Sequence, residues 1–389
     1  NLKRKIGEEP VLLDSTLTEK SVRNLTTYLE TRGYFSSKVE CQLDTTRRKR
    51  RAEQTFTIRQ GEPTRIDSIS YEIRDNAVRQ LILSDTTERL LHKGDILDIS
   101  LLDAERERIT EYLNNRGYFD FTVNNISYSV DTLSHKLLAD VHIMIRPTLT
   151  GYNERGIPQW EDNSVYRIDR INVYPSYNPM LRSTYGFEAG AQIDTSTFKG
   201  LNIIRDKKAS PRLRDAVLRR TISVYPNYIY NAEQVEHTYN ELMALGFFRN
   251  AKISFRRENR DSTLVTYLGS RPEEPQLLDT REKYLTCDIY CTPALKQSMK
   301  VELEASSTST FYGLSATLGY SNSNIFRGAE AFDVSTRVGF EYMYAPDAAK
   351  RSAQEVGITA GLSFPRFLAP FHLSPNSRAS QPRTRLEIS

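Results

Sequence analysis

Tyr112-Leu113-Asn114-Asn115-Arg116-Gly117-Tyr118-Phe119 is the end of a helical pattern that stops at a glycine and passes into two aromatics. The same ending stands at Tyr28-Leu29-Glu30-Thr31-Arg32-Gly33-Tyr34-Phe35 and at Glu241-Leu242-Met243-Ala244-Leu245-Gly246-Phe247-Phe248. Glycine just past a helix can take the left-handed conformation that closes the last turn. The aromatics after it can pack back on the helix or enter the next strand. Three copies of one ending predict three copies of one unit.

Outward from each ending the pattern becomes alternation, the period of a strand. After Phe119 come Phe121, Val123 and Ile126, a turn near Ser134-His135-Lys136, and a return through Val141, Ile143 and Ile145. After Phe248 come Ile253 and Phe255, a polar turn over 256–262, and Leu264, Val265 and Tyr267. After Phe35 come Val39, Cys41 and Leu43, the basic run Arg47-Arg48-Lys49-Arg50-Arg51, then Phe56 and Ile58. Arg65-Ile66-Asp67 and Arg167-Ile168-Asp169 open two matching strands. The unit reads strand, helix, helix, strand, strand. In the middle copy the spacing predicts a first helix over Asn76–His92 and a second over Leu101–Arg116, capped by Ser100. Leu102, Ile109, Tyr112 and Leu113 are expected to face the sheet.

The expected domains are a partial unit over residues 1–62, a complete one over 63–150, a linker over 151–163 and a third unit over 164–271. Gly246 follows Gly117 at a longer interval than Gly117 follows Gly33, so the third unit carries an insertion near 175–208. The first unit lacks its opening strand and helix, and the sequence stops within an alternating pattern. A fragment cut at both ends is therefore expected.

Residues 272–389 change character. Pro272–Pro275 reads as a linker, after which long apolar–polar dyads begin. Met299, Val301, Leu303 and Ala305 alternate with Lys300, Glu302 and Glu304. Tyr312, Leu314, Ala316, Leu318 and Tyr320 alternate with glycine, serine and threonine. Phe332 to Tyr342 and Val356 to Phe364 repeat the pattern. Such dyads have the length of strands that cross a bilayer, about 9–11 residues. One face is apolar and aromatics stand at the strand ends, as lipid outside and water inside require. A half-buried soluble sheet alternates likewise; strand length and the end-placed aromatics favour the membrane.

Charge excludes less. Lys and Arg number 53 against 49 Asp and Glu, a net of +4 that does not call for nucleic acid. No apolar run reaches the length of a spanning helix, which leaves a membrane β-barrel open. Cys41, Cys287 and Cys291 make an odd count, no disulfide framework. In a strand, Cys287 and Cys291 would lie about 13 Å apart on one face, too far to bridge. The five histidines are scattered, so neither a metal nor a cofactor is expected. No nucleophile, phosphate-loop or zinc-protease motif is present, and no enzyme is expected. Arg47–Arg51 reads as a solvated hairpin tip, or as a headgroup contact. Arg205, Lys207, Lys208, Arg212, Arg214, Arg219 and Arg220 stand against Asp206 and Asp215. Pro211 is placed to start a helix there, with Leu213 and Val217 as its apolar face. The segment reads as a solvated helix face, or as a docking patch for acidic headgroups or an acidic partner.

The repeated unit resembles the POTRA domain, the periplasmic module of outer-membrane assembly and secretion pores. Val301-Glu302-Leu303-Glu304-Ala305-Ser306-Ser307, followed by Leu318 to Glu330, resembles the opening strands of the BamA/TamA superfamily barrel. The turn Asn324-Ile325-Phe326-Arg327-Gly328-Ala329-Glu330 is the most characteristic part of that likeness. Ser363-Phe364-Pro365-Arg366-Phe367 and Pro382-Arg383-Thr384 resemble the approach to the fifth strand. The insertion and Leu218-Arg219-Arg220-Thr221-Ile222 resemble the TamA-like, TamL-type branch. The fold class this implies is α+β POTRA repeats (β-α-α-β-β) followed by the first strands of an antiparallel transmembrane β-barrel, over 272–389.

The resemblance implies an outer-membrane protein assembly or translocation factor of a Gram-negative bacterium, with its POTRA units in the periplasm. Its partners would be unfolded outer-membrane protein clients, a TamB-like protein or accessory subunits, and outer-membrane lipids. The first barrel strand, with Lys296, Met299, Val301, Leu303 and Ala305, would be the movable side of the seam where client strands pair. The alternatives are a two-partner-type secretion pore for one dedicated protein, the barrel anchor of a fused hydrolase, a lipid-transport partner of a TamB-like protein, and a periplasmic binding scaffold.

Overall fold

A computed structural model describes residues 13–48, 51–132, 137–181, 186–187, 190–208, 212–258, 282–308, 311–343, 351–366, 368 and 383–389. The chain falls into two compact units. In the first, helix α1 (Ser15–Thr31) starts at Asp14, whose carboxylate accepts the Thr16 N–H at 2.8 Å. It closes at Gly33, with φ +86°, and the Tyr34 N–H reaches back to the Leu29 carbonyl at 2.9 Å. A side chain at Gly33 would meet the Leu97 carbonyl at 2.8 Å, so only glycine fits the turn. Strands β1 (Lys38–Arg48) and β2 (Arg51–Arg59) form an antiparallel hairpin, with Arg48 opposite Arg51 at its tip. Residues 49–50 of the basic run lie outside the described residues.

The complete middle unit follows. Strand β3 (Arg65–Ile73), helices α2 (Asn76–Ser84) and α3 (Ile99–Asn114), and strands β4 (Ile126–Asp131) and β5 (Leu138–Ile145) appear in the expected order. The sheet runs β3-β5-β4, with β5 parallel to β3 and antiparallel to β4. Val78, Leu81 and Ile82 of α2 and Leu102, Ile109 and Leu113 of α3 are buried, as are Ile66, Val141, Ile143 and Ile145 of the sheet. Two details differ from expectation. Helix α2 stops at Ser84, short of His92, because Arg89 folds back and donates to the carbonyls of Ile82, Leu83 and Asp85. Asp98, rather than Ser100, caps α3 by accepting the Ser100 N–H at 2.8 Å. The supposed linker over 151–163 carries structure: β6 (Thr148–Tyr152) and β7 (Pro158–Glu161) pair as an antiparallel hairpin.

The second unit opens with the third repeat. Strands β8 (Val165–Tyr174), β9 (Ile193–Phe198) and β10 (Leu201–Asp206) precede helices α4 (Asp215–Thr221) and α5 (Ala232–Ala244). Strands β11 (Phe248–Glu258) and β12 (Glu282–Pro293) complete it, in the order β11-β12-β8-β10-β9. The insertion is therefore a hairpin, β9–β10, that widens the sheet, with β10 parallel to β8. The sheet of this unit continues past 271, to β12. There β12 is an interior strand, antiparallel to β11 and parallel to β8. A strand flanked on both edges and covered by helices buries its side chains, and Leu285, Cys287, Ile289 and Cys291 are fully buried. Leu264, Val265, Tyr267 and Pro272–Pro275 lie outside the described residues.

Cys287 and Cys291 are free thiols, and burial pushes the Cys287 thiol up and the Cys291 thiol up to about 12. Thiolates are the reactive form. Mass spectrometry after brief maleimide treatment of the native chain should therefore show label on the half-buried Cys41 alone. Rapid native labelling at position 287 or 291 would contradict the burial of β12.

The rest of the second unit is an antiparallel meander: β13 (Gln297–Ser307), β14 (Phe311–Asn322), β15 (Ala331–Met343), β16 (Arg351–Phe364) and β17 (Thr384–Ile388), neighbours in chain order. No helix of the described residues is long and apolar enough to cross a membrane, which says nothing of a crossing made by strands.

Candidate functional site

The meander registers its apolar positions across every strand. Val301 faces Leu318, which faces Thr336 and then Ile358. Leu303, Ala316, Val338 and Val356 form the next row, and Ala305, Leu314 and Phe340 another. Strand side chains alternate between faces, so these rows make one continuous apolar surface. Met299, Val301, Leu303, Leu314, Leu318, Val338, Val356 and Ile358 are each more than half exposed on it. The opposite face carries Lys300, Glu302, Glu304, Asp333, Arg337 and Arg385. Ion pairs cross that face from Arg337 to Glu304 at 3.4 Å and from Arg385 to Asp333 at 3.0 Å. Exposed apolar rows of this extent mark a surface made for an apolar surrounding.

Strand β13 is the first strand of the sheet, and among the described residues nothing pairs with its outer edge. Every residue of β13 is exposed. Met299, Val301, Leu303 and Ala305 lie along it; Lys296 just precedes it, and its carbonyl accepts the Ser323 N–H at 2.9 Å. An edge like this is a template for a further strand.

The turn between β14 and β15 is held from within and from outside. Within it, the buried Asn324 accepts the Ala329 N–H at 3.0 Å, and Glu330 accepts the Gly328 N–H at 2.7 Å. A Cβ on Gly328 would meet the Glu330 carboxylate and push it off the Gly328 N–H. Arg327 and Ala329 take positive φ, +64° and +62°. From outside, the turn bonds to the loop ahead of α4. Asn324 Nδ2 donates to the Arg212 carbonyl at 2.9 Å. The Arg214 N–H donates to the Arg327 carbonyl at 2.9 Å, and Arg214 Nη2 to the Phe326 carbonyl at 2.7 Å. A second tie runs from Arg383, just before β17, to the Ala244 carbonyl at the end of α5. The amphipathic sheet is thus fastened to the third repeat through the residues of the characteristic turn. Nothing in the sequence pattern pointed to Arg212 and Arg214 as the partners of that turn.

The basic segment is not a uniform docking patch. Arg205 pairs with Asp215, and Arg214 is spent on the turn. Arg219 is buried, donates to the Ile222 and Val224 carbonyls, and lies 4.1 Å from the Tyr225 ring centre. Burial holds its pKa below the ordinary arginine value. Lys207, Lys208, Arg212 and Arg220 stay exposed. A charge count along the chain cannot tell these uses apart. Pro211 lies outside the described residues.

The three glycine endings are structural. Gly33, Gly117 and Gly246 all take positive φ. Tyr118, Phe247 and Phe248 are buried, with the last two rings edge-to-face at 4.9 Å, whereas Tyr34 and Phe119 are half-buried and Phe35 is half exposed. Among the described residues no cluster of His, Cys, Asp or Glu could hold a metal ion.

No curated protein matches the chain. Similar solved structures include the following three. The POTRA3-5 fragment of BamA from Haemophilus influenzae is 14% identical, with a TM-score of 0.33, over 73% of this chain and 84% of that one. BamA from Haemophilus ducreyi lacking POTRA domains 1-3 is 11% identical, with a TM-score of 0.34, over 77% and 48%. CdiB from Acinetobacter baumannii is 9% identical, with a TM-score of 0.30, over 91% and 59%. Residues 65–146, the unit built around the Gly117-Tyr118-Phe119 ending, match the POTRA family model, described as a surface antigen variable number repeat, and are a POTRA domain.

Proposed function

We propose that strands β13–β17 belong to an outer-membrane β-barrel, that the POTRA units stand in the periplasm, and that the molecule assembles or translocates outer-membrane proteins. The observation that carries this reading is the sheet with one exposed apolar face, one ion-paired face and an unpaired first edge. Backbone groups at such an edge cost several kcal/mol each when left unpaired in hydrocarbon. An incoming strand that pairs with β13 removes that cost, so client strands are templated there by β-augmentation. The same bonds are worth only about 0.5–1.5 kcal/mol each in water, so the drive belongs to the membrane. Within the superfamily we place the chain in the TamA-like branch, supported by the inserted β9–β10 hairpin and Leu218–Ile222.

The test is site-specific crosslinking in cells from cysteines placed at Val301 or Leu303. Adducts with several unfolded outer-membrane proteins are expected from β13 and not from β15. Adducts with one dedicated exported protein would support a secretion pore instead. Client adducts everywhere except β13 would remove the edge from the mechanism.

A further inference from the structure

The inserted hairpin does more than widen a sheet. Its turn, Phe198-Lys199-Gly200, presses toward the loop after α4; a Cβ on Gly200 would meet Pro226 at 2.8 Å. Between the turn and the helix lies an open groove of about 360 Å³, lined by Phe198, Lys199, Ala216, Arg219, Arg220 and Tyr225. That is the size of a small-molecule site, which starts near 300 Å³. Three of its six lining residues are cations and none is acidic. Arg219 is 8% exposed, and its Nη1 is buried with no hydrogen-bond partner among the described residues. Its Nη2 is fixed by the Ile222 and Val224 carbonyls, so the guanidinium lends a held positive charge to the groove wall. Phe198 and Tyr225 add an aromatic wall beside the cations. Partial desolvation lowers the pKa of Arg220, with Arg366 acting in the same direction and Glu330 against it. The loop that leads into α4 is hydrogen-bonded to the turn after β14, so the groove lies beside one end of the exposed apolar sheet.

We propose that this groove binds the phosphate of an anionic lipid headgroup, with Arg219, Arg220 and Lys199 as its cations and the acyl chains directed to the apolar face of the meander. This rests on the reading of that face as bilayer-embedded. Anionic headgroups and basic residues meet at this depth by ordinary electrostatics. Aromatic rings are favoured at the same depth. The inference narrows the basic segment to two of its arginines and adds Lys199 from the insertion.

The test titrates the full chain in a neutral detergent with monomeric dihexanoyl phosphatidylglycerol, dihexanoyl phosphatidylcholine and inorganic phosphate, read by calorimetry. The phosphatidylglycerol should bind best. The double variant Lys199→Gln/Arg220→Gln should weaken it at least about tenfold, as expected for lost charge-assisted contacts. Both side chains are exposed, so an unchanged melting curve is expected for that variant. Arg219→Lys tests the buried donor, with the double variant as the control should Arg219 prove necessary for folding. Equal binding by wild type and the double variant would overturn the site. Inorganic phosphate binding as tightly as the lipid would overturn the lipid and leave a free-phosphate site. Monomeric lipid is read without a bilayer, so failure here is distinct from failure of the membrane reading, which a lysine on the apolar face tests separately.

Discussion

Asn324→Ala is expected to loosen the fastening between the amphipathic sheet and the third repeat by about 1–3 kcal/mol. The asparagine is 2% exposed and works in both directions: its oxygen accepts the Ala329 N–H, and its nitrogen donates to the Arg212 carbonyl. Removing it strands the Ala329 N–H in a buried site, which costs about 1–3 kcal/mol. The Arg212 carbonyl lies on an exposed residue and recovers part of its loss from water. Ala329 also sits at φ +62°, a conformation that the turn's bonds must hold in place. Amide hydrogen exchange is the measurement. Ala329 and Ile325 should lose protection in the alanine variant, while the strand interior of β15 keeps it. Asn324→Asp retains the acceptor and loses the donor, so it should fall between wild type and alanine. Full protection of Ala329 in the alanine variant would mean that Gly328 and Glu330 hold the turn unaided.

Much of this turn was legible as a sequence motif, but its purpose was not. Alternation located β13 to β16 because strand period survives in any one sequence. The glycine endings located the helices because a left-handed residue is a local requirement. What failed was set by distance along the chain. Strand β12 of the third repeat follows residues 259–281, far along the chain from the β11 and β8 that it joins. Arg219 and Arg214 looked like neighbours of Lys207 on one charged face. In the fold one stacks on Tyr225 and the other grips a turn 112 residues away, while Arg220 and Lys199 line one groove with Arg219. Helix α2 ended early because a side chain, Arg89, supplied the donors that another turn of helix would have given.

Val338→Lys should separate the bilayer reading from every aqueous one. Val338 lies midway along β15, between Ala316 and Val356 on the apolar face, and is 51% exposed. If that face meets lipid, a lysine near the midplane costs about 2–4 kcal/mol, and the fraction of chain integrated into vesicles should fall accordingly. If the face meets water, the same change removes an exposed apolar side chain and should be neutral or raise solubility. The sign of the effect therefore decides. Ser315→Lys is the matched control, because it places the same charge on the opposite face, beside Glu304 and opposite Gly339. There it joins the Arg337–Glu304 pair in a polar surrounding and should integrate like wild type. Heat-modifiable gel migration and urea resistance of the vesicle-bound fraction read both variants on one scale. Equal integration of the two lysine variants would sink the membrane assignment of β13–β17. It would also remove the drive for strand templating at β13, since an edge in water already has its hydrogen bonds from solvent.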